Sequence, residues 1–180
     1  SFNHDGNGGG MYVDESEVTI TENRITDNAA SWAGNHGEGG GLLIQGGTVL
    51  VHNNVITGNF GEGFPGFPST ATGFGGGVAT FAGDTTLRAN RIEDNGATNG
   101  DNWGWGGGVY GEGGTIRIVD NQIARNWGSS SSTGGDSSFG GGVALTNTVG
   151  LIERNVVLGN PTGITLCQRP GILSAGPSTN

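Results

Sequence analysis

Aliphatic residues recur along this chain at a fixed distance before asparagine. In residues 51–59, Val51 precedes Asn54 by three positions and Ile56 precedes Asn59 by three. In the stretches before such pairs, apolar and polar residues alternate, as at Val49 and Val51, whereas the spacing of an amphipathic helix is missing. Alternation of this kind is typical of strands that bury one side. The pattern therefore predicts an all-β chain of short strands.

A glycine triplet stands ahead of every copy of this pattern. The first asparagine follows the first glycine of its triplet by 15 residues and the second follows it by 20, so each copy is a block of 21 residues. Segments of 10, 15, 10 and 13 residues separate the blocks. Fixed blocks with inserts at one position predict a solenoid whose insertions emerge from one edge. The five blocks are residues 8–28, 39–59, 75–95, 106–126 and 140–160.

Stacking these blocks predicts a parallel β-helix. About three strands from each block would pair with their equivalents in the next coil, and the usual crossover chirality would make the coil right-handed. Five coils spaced by about 4.8 Å give a rod about 24 Å long. We expect residues 1–160 to form this five-coil domain, with long insertions on one edge. Residues 161–180 form either a partial sixth coil or an irregular C-terminal cap.

The asparagines and glycines have structural roles in this architecture. Asparagine tolerates a left-handed backbone at a sharp bend, and we expect it to adopt that conformation between strands. In-register stacking would place the amides in hydrogen-bonded ladders along the axis. Glycine permits positive φ and close backbone approach where the chain re-enters the coil. The predicted ladder residues are Asn23, Asn54, Asn90, Asn121 and Asn155 in one column and Asn28, Asn59, Asn95, Asn126 and Asn160 in the other.

A glycine triplet followed by aliphatic-x-x-Asn resembles the repeat of polymorphic outer-membrane-protein autotransporters, which is Gly-Gly-Ala-aliphatic followed by Phe-x-x-Asn. Here the third position is glycine, as at Gly10 and Gly41, and Ile, Leu or Val replaces the phenylalanine. The blocks are equally similar to extracellular right-handed β-helix proteins, which include pectate-lyase-like enzymes and bacterial surface proteins. The resemblance covers residues 8–160 and implies the fold and an extracellular or cell-surface location. It selects no function, because this fold hosts adhesins, enzymes and fibres.

The charge balance excludes several kinds of partner. The chain has 16 acidic residues, 7 arginines and no lysine, which gives a net charge of −9. Nucleic acids and anionic membranes attract basic patches, which this composition does not supply. No apolar run is long enough to insert into a bilayer. Because the chain opens at Ser1 in what reads as the end of an insertion, we interpret it as a mature or truncated product.

Catalysis on this fold would need acidic side chains from neighbouring coils. Asp27 and Asp94 share one position but lie two coils apart, and Glu22 and Asp120 lie three coils apart. Glu93 adjoins Asp94, but neighbours on a strand face opposite sides. A glycosidase needs two carboxyl groups within about 5–9.5 Å. Since no pair meets this condition, the sequence favours a protein that is not an enzyme.

Most aromatic residues lie in the insertions, including all four tryptophans. Phe74, Trp105 and Phe139 each stand directly before a triplet, so we expect them to stack as a column. One interpretation is that the column forms a satellite core that shields a sheet. The other is an exposed strip that binds sugar rings or a neighbouring subunit. Trp103 and Trp127 are the tryptophans that we expect to be exposed.

Residues that bind metals are sparse. His4 and His36 precede triplets, but no other ligand converges on them, so we expect surface histidines. The sequence therefore predicts no metal site and no cofactor, with Ca²⁺ as the one alternative, bound by oxygen atoms near the loop residues Asp101 and Asp136. Cys167 is the only cysteine. It is either an idle or buried thiol, or one that pairs between molecules.

Together these patterns favour a non-catalytic structural or adhesive module of an extracellular or cell-surface protein. Its partner would be another copy of itself, a surface glycan or another protein, and not a nucleic acid. Unpaired strand edges at the ends of the rod favour end-to-end assembly into a fibre. The alternative function is that of a polysaccharide lyase or glycoside hydrolase, or of a fragment of one.

Overall fold

A computed structural model describes residues 6–31, 36–63, 72–99, 103–129 and 138–167. These residues contain 25 short β-strands and no helix, which confirms the all-β prediction for this part of the chain. All five blocks lie within the described ranges, whereas parts of the insertions and both ends of the chain lie outside them. Within the same ranges, there is no helix of a length and hydropathy suited to crossing a membrane.

The strands follow one another in the same order in every coil. The first coil contains β1 (Gly6–Asn7), β2 (Met11–Asp14), β3 (Glu17–Thr21), β4 (Arg24–Thr26) and β5 (Ala29–Ser31). The second contains β6 (Gly37–Glu38), β7 (Leu42–Gln45), β8 (Thr48–His52), β9 (Val55–Thr57) and β10 (Phe60–Glu62). The third contains β11 (Gly73–Phe74), β12 (Val78–Phe81), β13 (Asp84–Arg88), β14 (Arg91–Glu93) and β15 (Gly96–Thr98). The fourth contains β16 (Gly104–Trp105), β17 (Val109–Glu112), β18 (Thr115–Val119), β19 (Gln122–Ala124) and β20 (Trp127–Ser129). The fifth contains β21 (Ser138–Phe139), β22 (Val143–Thr146), β23 (Val149–Glu153) and β24 (Val156–Leu158), and β25 (Ile164–Cys167) follows it.

Equivalent strands of successive coils pair in five parallel sheets, which we number by the position of their strands in the coil. Sheet 1 runs from β1 to β21, sheet 3 from β3 to β23 and sheet 4 from β4 to β24. Sheet 2 runs from β2 through β22 to β25, and sheet 5 contains β5, β10, β15 and β20. Pairing is in register, so that Val49 faces Val18 on one side and Thr85 on the other. The predicted parallel β-helix is therefore confirmed.

An aliphatic spine fills the interior of the coil. The middle residues of sheet 4 and alternate residues of sheets 2 and 3 point inward and stack on their equivalents, as Ile92 does on Ile56. Leu145 fills the space left by two glycines, since a Cβ added to Gly111 or Gly150 would lie 2.8 Å from its Cδ atoms. Each fully buried aliphatic side chain contributes about 1.5–3 kcal/mol. The narrow core therefore gains stability from every coil that is added.

Asparagine side chains form two columns beside this spine. The backbone N–H of Asn54 donates to Oδ1 of Asn90 at 2.9 Å, and Nδ2 of Asn54 donates to the same oxygen at 3.1 Å. Nδ2 also donates to the carbonyl of Ile20 in the preceding coil at 2.8 Å. Equivalent bonds link successive asparagines along both columns. Because buried amides are costly unless they are hydrogen-bonded, each coil fixes the position of the next.

Left-handed backbone occurs at the residue before each ladder asparagine, so the expectation for the asparagines themselves is wrong. Asn53 has a φ of 55° and Ala89 one of 51°, and both are exposed, whereas Asn54 and Asn90 have negative φ. The left-handed bend and the inward-pointing amide are thus provided by two different, neighbouring residues. Nδ2 of Asn54 reaches back across the bend and donates to the carbonyl of His52 at 3.0 Å.

After the fifth coil the chain passes directly to sheet 2. Residues 161–163 form a turn, and β25 then pairs with β22 in parallel. The hydroxyl of Thr162 accepts a hydrogen bond from the N–H of Gly141 at 2.9 Å, and the carbonyl of Gly163 accepts one from the N–H of Gly142 at 2.9 Å. This segment therefore covers backbone donors at the end of the fifth coil.

Candidate functional site

The residues that precede the five glycine triplets form one row on sheet 1. Asn7, Glu38, Phe74, Trp105 and Phe139 are neighbours in register on consecutive strands. The first glycine of each triplet has a φ between 56° and 62°, which confirms the positive φ expected there. This turn folds the row back toward the outer face of sheet 2.

The row packs on outward-facing residues of sheet 2. Phe74 and Trp105 pack against a second hydrophobic cluster, and its members Leu43 and Ala79 are fully buried although they point away from the spine. The row thus shields the sheet, in agreement with the first of the two interpretations of the aromatic residues. We call the whole surface the aromatic face. It consists of the row Asn7, Glu38, Phe74, Trp105 and Phe139, of Tyr12, Leu43, Ala79, Phe81, Tyr110 and Ala144 on sheet 2, and of Trp103.

Ring contacts are closest at the end of the aromatic face formed by the fourth and fifth coils. The rings of Trp105 and Phe139 stack with centroids 4.1 Å apart and an interplanar angle of 19°. Trp103 also stacks on Phe139, at 5.8 Å and 29°, and remains 53% exposed. Phe74 instead tilts onto Tyr110, with centroids 5.0 Å apart. The expected column is therefore a stack at Trp105 and Phe139 and a tilted packing at Phe74.

Trp127 does not belong to the aromatic face, and the expectation that it is exposed is wrong. It lies on β20 of sheet 5, is half-buried, and packs edge-on against Phe60 with centroids 5.7 Å apart. Its ring nitrogen is buried over Gly96, where an added Cβ would lie 2.5 Å from Nε1. The glycine leaves room for the indole, which folds onto its own sheet instead of projecting into solvent.

Two tyrosine hydroxyls add polar groups to the aromatic face. Tyr12 is 48% exposed and its hydroxyl donates to Oε1 of Gln45. The hydroxyl of Tyr110 donates to Oε2 of Glu112 at 2.8 Å. Burial, followed by the nearby carboxylates, raises the pKa of both tyrosines. Both phenols are therefore protonated at neutral pH and act as hydrogen-bond donors.

A cavity opens at the end of the aromatic face formed by the first three coils. It measures about 410 Å³ and is lined by Asn7, His36, Glu38 and Phe74 among the described residues. The sequence interpretation missed Asn7 and Glu38 as site residues, because it considered only the aromatic members of the row. Their position in the sequence could have identified them, since both stand directly before a glycine triplet, as Phe74 does.

A larger groove of about 570 Å³ runs over sheet 3, but its chemistry is different. Its lining includes Glu17, Thr48, Leu50, Asp84 and Arg117 and contains no aromatic ring among the described residues. Arg117 and Asp84 pair there at 3.7 Å, with both side chains half exposed. Since exposed ion pairs are weak, this groove offers little to hold a ligand.

Glu93 and Asp94 are both bound by one arginine, so the expectation that they face opposite sides is wrong. Arg125 contacts Oε2 of Glu93 and Oδ1 of Asp94, each at 2.8 Å. Asp94 has a φ of 55°, which ends the strand and breaks the alternation of its side chains. Arg91 and Gln122 also bind Glu93, at 2.7 and 2.6 Å, and the carboxylate is buried beneath them.

These arginines hold Glu93 in its charged form. Hydrogen bonding from Arg91 is the main reason that the pKa of Glu93 lies below its usual value, against the opposing effect of burial. Hydrogen bonding from Arg154, at 2.8 Å, likewise lowers the pKa of Asp120. A general acid of glycoside hydrolysis needs a raised pKa. Neither carboxylate has the environment of such an acid.

Replacing Glu93 with glutamine is expected to make stability less dependent on pH at the acid end. The pKa of Glu93 is lower in the folded protein than in the unfolded chain, where it is about 4.3, so its full contribution to stability is present above that value. The contribution is lost as the pH falls through the folded pKa. The difference in unfolding free energy between the wild type and Glu93→Gln should therefore be largest at neutral pH and shrink below about pH 4.

Urea titrations of both proteins at a series of pH values measure this difference. A difference that stays constant from neutral to acid pH would contradict the stabilising role of the Glu93 carboxylate.

Residues considered for metal binding are not brought together in the described part of the chain. No group of three or more His, Cys, Asp or Glu side chains there is placed to hold a metal ion. His36 lines the cavity of the aromatic face, whereas His4, Asp101 and Asp136 lie outside the described residues. Calcium binding near the two aspartates stays a prediction. Cys167 is a free, half-buried thiol at the end of β25.

Comparison with known proteins identifies one family. The profile of the family described as right handed beta helix region matches residues 1–174, which is nearly the whole chain. This match agrees with the five stacked parallel sheets and with the predicted hand of the coil. No curated protein and no solved structure matches the chain.

Proposed function

We propose that this chain, which belongs to the family of right-handed β-helix proteins, is a non-catalytic adhesive module of an extracellular or cell-surface protein. Its ligand in this proposal is a glycan that lies along the aromatic face. The observation that carries the proposal is the partly exposed ring stack of Trp103, Phe139 and Trp105 on a rigid sheet.

The chemistry of the aromatic face suits a sugar. Trp103 stacks on Phe139 yet keeps about half of its surface in solvent, and such a ring offers apolar contact area with little loss of side-chain entropy. Toward the other end of the aromatic face, on the first two coils, the phenol of Tyr12 and the side chains of Asn7 and Glu38 provide polar groups. A mixture of flat apolar contacts and a few polar groups is typical of small-molecule sites.

The β-helix supplies the rigidity that such a surface needs. Every residue of the row on sheet 1 is paired in register with those of the adjacent coils, and the ladders fix each coil against the next. A ligand therefore pays little to order the surface, because the fold has already ordered it. This supports binding by a preformed strip along the rod.

Replacing Trp103 with alanine is expected to weaken glycan binding about two- to tenfold, the loss that corresponds to one aromatic stacking contact. A glycan array identifies ligands for the wild type, and calorimetric titration measures the affinity of the best one for both proteins. Leu158→Ala is the matched control, because Leu158 is 61% exposed on sheet 4, away from the aromatic face. Equal losses for the two variants, or no binding of any glycan by the wild type, would contradict the proposal.

A polysaccharide lyase or hydrolase is the second candidate, favoured by Glu38 and His36, which line one cavity. Against this candidate, arginines lower the pKa of Glu93 and of Asp120 and so hold both carboxylates in their charged form. Incubating the protein with the glycan that it binds, followed by an assay for new reducing or unsaturated ends, separates the candidates. The adhesive function predicts no new ends.

End-to-end assembly into fibres is a separate proposal. Two observations support it: within the described part of the chain β23 and β24 are the last strands of their sheets, and Val156 and Leu158 on β24 are exposed. Exposed edges of this kind favour pairing with another chain. Glycan binding on the aromatic face does not require such assembly.

A further inference from the structure

We propose that the ligand of the aromatic face is a neutral, extended, β-1,4-linked glycan that lies parallel to the axis of the rod. One end of it stacks on Trp103, and the other enters the cavity lined by Asn7, His36, Glu38 and Phe74. This inference rests on the proposed function and names the class and the orientation of its ligand.

The cavity and the ring stack belong to one continuous surface. A second column of residues runs beside the row on sheet 1, two positions earlier in the chain, and consists of His36, Thr72 and Trp103. Each of their carbonyl oxygens accepts a hydrogen bond from a glycine N–H of the preceding coil, at 3.0–3.2 Å, which keeps the column in register. His36 at the cavity and Trp103 at the stack therefore occupy equivalent positions two coils apart.

The length of this surface suits an oligosaccharide better than a single sugar. The row takes one member from each coil, and neighbouring strands lie about 4.8 Å apart, so that Asn7 and Phe139, four strand spacings apart, are separated by about 19 Å along the axis. One sugar unit of an extended β-1,4 chain is about as long as one strand spacing. A chain of about four units would therefore reach from the stack into the cavity.

The two ends of the surface offer the two kinds of contact that a neutral sugar uses. At the stack, Trp103 lies on Phe139 and remains 53% exposed, so it can pack on the apolar face of a ring. At the cavity, Asn7 and His36 are exposed and present an amide and an imidazole to hydroxyl groups. The Glu38 carboxylate has about four acceptor positions, so it can accept from a hydroxyl whatever else it binds.

Charge favours a neutral glycan over an acidic one. The aromatic face contains no arginine among its described residues, since the six described arginines lie on strands of sheets 3 and 4 or directly after them. The carboxylates of acidic glycans are recognised mainly by arginine, which binds them with two parallel hydrogen bonds. An acidic glycan would lose its hydration at this surface without gaining such a pair, whereas a neutral glycan needs none.

The straight course of the surface favours the β-1,4 linkage. Parallel pairing in register places the members of the row one above another along the axis, as Phe74 lies beside Trp105 and Trp105 beside Phe139. Equatorial β-1,4 linkages keep a sugar chain flat and extended, whereas α-1,4 linkages curve it into a helix. Only the extended chain stays in contact with the row over several coils.

Oligomers of β-1,4-linked glucose and of β-1,4-linked N-acetylglucosamine, from dimer to hexamer, test the length of the surface by calorimetric titration. In at least one series the affinity should rise about tenfold or more between the dimer and the tetramer and then level off. Two hexamers serve as controls: one of α-1,4-linked glucose, which is curved, and one of β-1,4-linked glucuronic acid, which is charged. Each should bind at least about tenfold more weakly than the best neutral β-1,4 hexamer.

Asn7→Ala tests whether the far end of the chain reaches the cavity. This variant should bind the hexamer about two- to tenfold more weakly, the loss of about one hydrogen bond, and should bind the dimer as the wild type does, because a dimer occupies only the stack. Asn53→Ala is the matched control, since Asn53 is an exposed asparagine between sheets 3 and 4 whose equivalent in the next coil is Ala89. It should leave both affinities unchanged. Circular dichroism confirms that each variant folds.

Backbone NMR of the wild type tests the orientation independently. The hexamer should shift the amide signals of Glu38, Phe74, Trp105 and Phe139, whose coils follow one another along the rod. The dimer should shift only those of the fourth and fifth coils. Hexamer shifts that are confined to one coil would mean that the chain crosses the rod, and would overturn the inference.

The outcomes separate this inference from the proposed function. Affinity that does not rise beyond the dimer, a hexamer affinity unaffected by Asn7→Ala, or control hexamers that bind as tightly as the neutral β-1,4 hexamer would overturn the inference alone. The same holds if neither series binds although the glycan array identifies another ligand that Trp103→Ala weakens. Failure of every glycan to bind would overturn the proposed function as well.

Discussion

Replacing Asn90 with alanine is expected to lower the free energy of unfolding by about 3–5 kcal/mol. Oδ1 of Asn90 accepts from the backbone and side chain of Asn54, and Nδ2 donates to the carbonyl of Val51 and to Oδ1 of Asn121. The substitution removes these bonds at once. It leaves several polar groups buried without their partners, each at a cost of about 1–3 kcal/mol.

Asn23→Ala is the matched control for this prediction. Asn23 stands at the first position of the same ladder and is half-buried, and its amide donates to Asn54 and to the carbonyl of Thr21. Groups freed by its loss have better access to water, so we expect a cost of about 1 kcal/mol. Urea unfolding measures both variants. Equal costs for Asn23 and Asn90 would show that the buried ladder adds nothing beyond local hydrogen bonds.

Replacing Gly76 with alanine is expected to cost at least about 4 kcal/mol, which is enough to prevent folding of many domains of this size. Gly76 is the middle glycine of its triplet, where the backbone at the end of its own coil and that of the next coil both pass close to it. An added Cβ would lie 2.2 Å from the carbonyl oxygen of Gly96 and 2.6 Å from that of Gly107. Both contacts are with backbone, which cannot move without breaking the sheets.

Gly113→Ala separates this steric effect from the loss of glycine flexibility. Gly113 has a φ of 68°, but the nearest atoms to an added Cβ are 3.8 Å away. Its replacement should cost only about 1–2 kcal/mol, the strain of a left-handed alanine. Thermal unfolding followed by circular dichroism compares the variants. A folded Gly76→Ala protein with a melting temperature near that of Gly113→Ala would contradict the close packing of the triplet.

The sequence was sufficient to predict the coil and its register because both depend on residues that repeat. A ladder asparagine can occupy only positions where the same residue lies above and below it, so the constant spacing of Asn54 and Asn90 from their triplets marks equivalent sites. The triplet glycines are recognisable for a similar reason. Close backbone approach excludes every other residue, as it does at Gly76.

Features that depend on single residues were harder to predict. The left-handed position before each ladder asparagine is filled by residues as different as Asn53, Ala89 and Arg125, so it leaves no signature in the sequence. The left-handed backbone also turns the side chain of Asp94 toward Arg125, which binds Glu93 as well. In a regular strand, the side chains of these two neighbouring residues would face opposite sides. Local bends therefore decide which charged groups meet.

In the aromatic face, too, features set by the repeat could be predicted and features set by single residues could not. Its row on sheet 1 follows from the position before each triplet, but the exposure of each ring depends on what packs over it. Trp103 remains open to solvent, while Trp127 folds onto Phe60 because Gly96 leaves space for it. Repeats explain how the rod is built. In the function that we propose, ligand recognition depends on the residues that differ between coils.

The central claim is that equivalent side chains lie directly over one another, so that amide columns hold the coils together. Hydrogen exchange of the backbone amides of Asn54, Asn90 and Asn121 tests this most directly, because each N–H donates to the side chain of the next ladder asparagine. We predict that these amides exchange only when the whole protein unfolds. Exchange at the rate of exposed loop amides would contradict the claim.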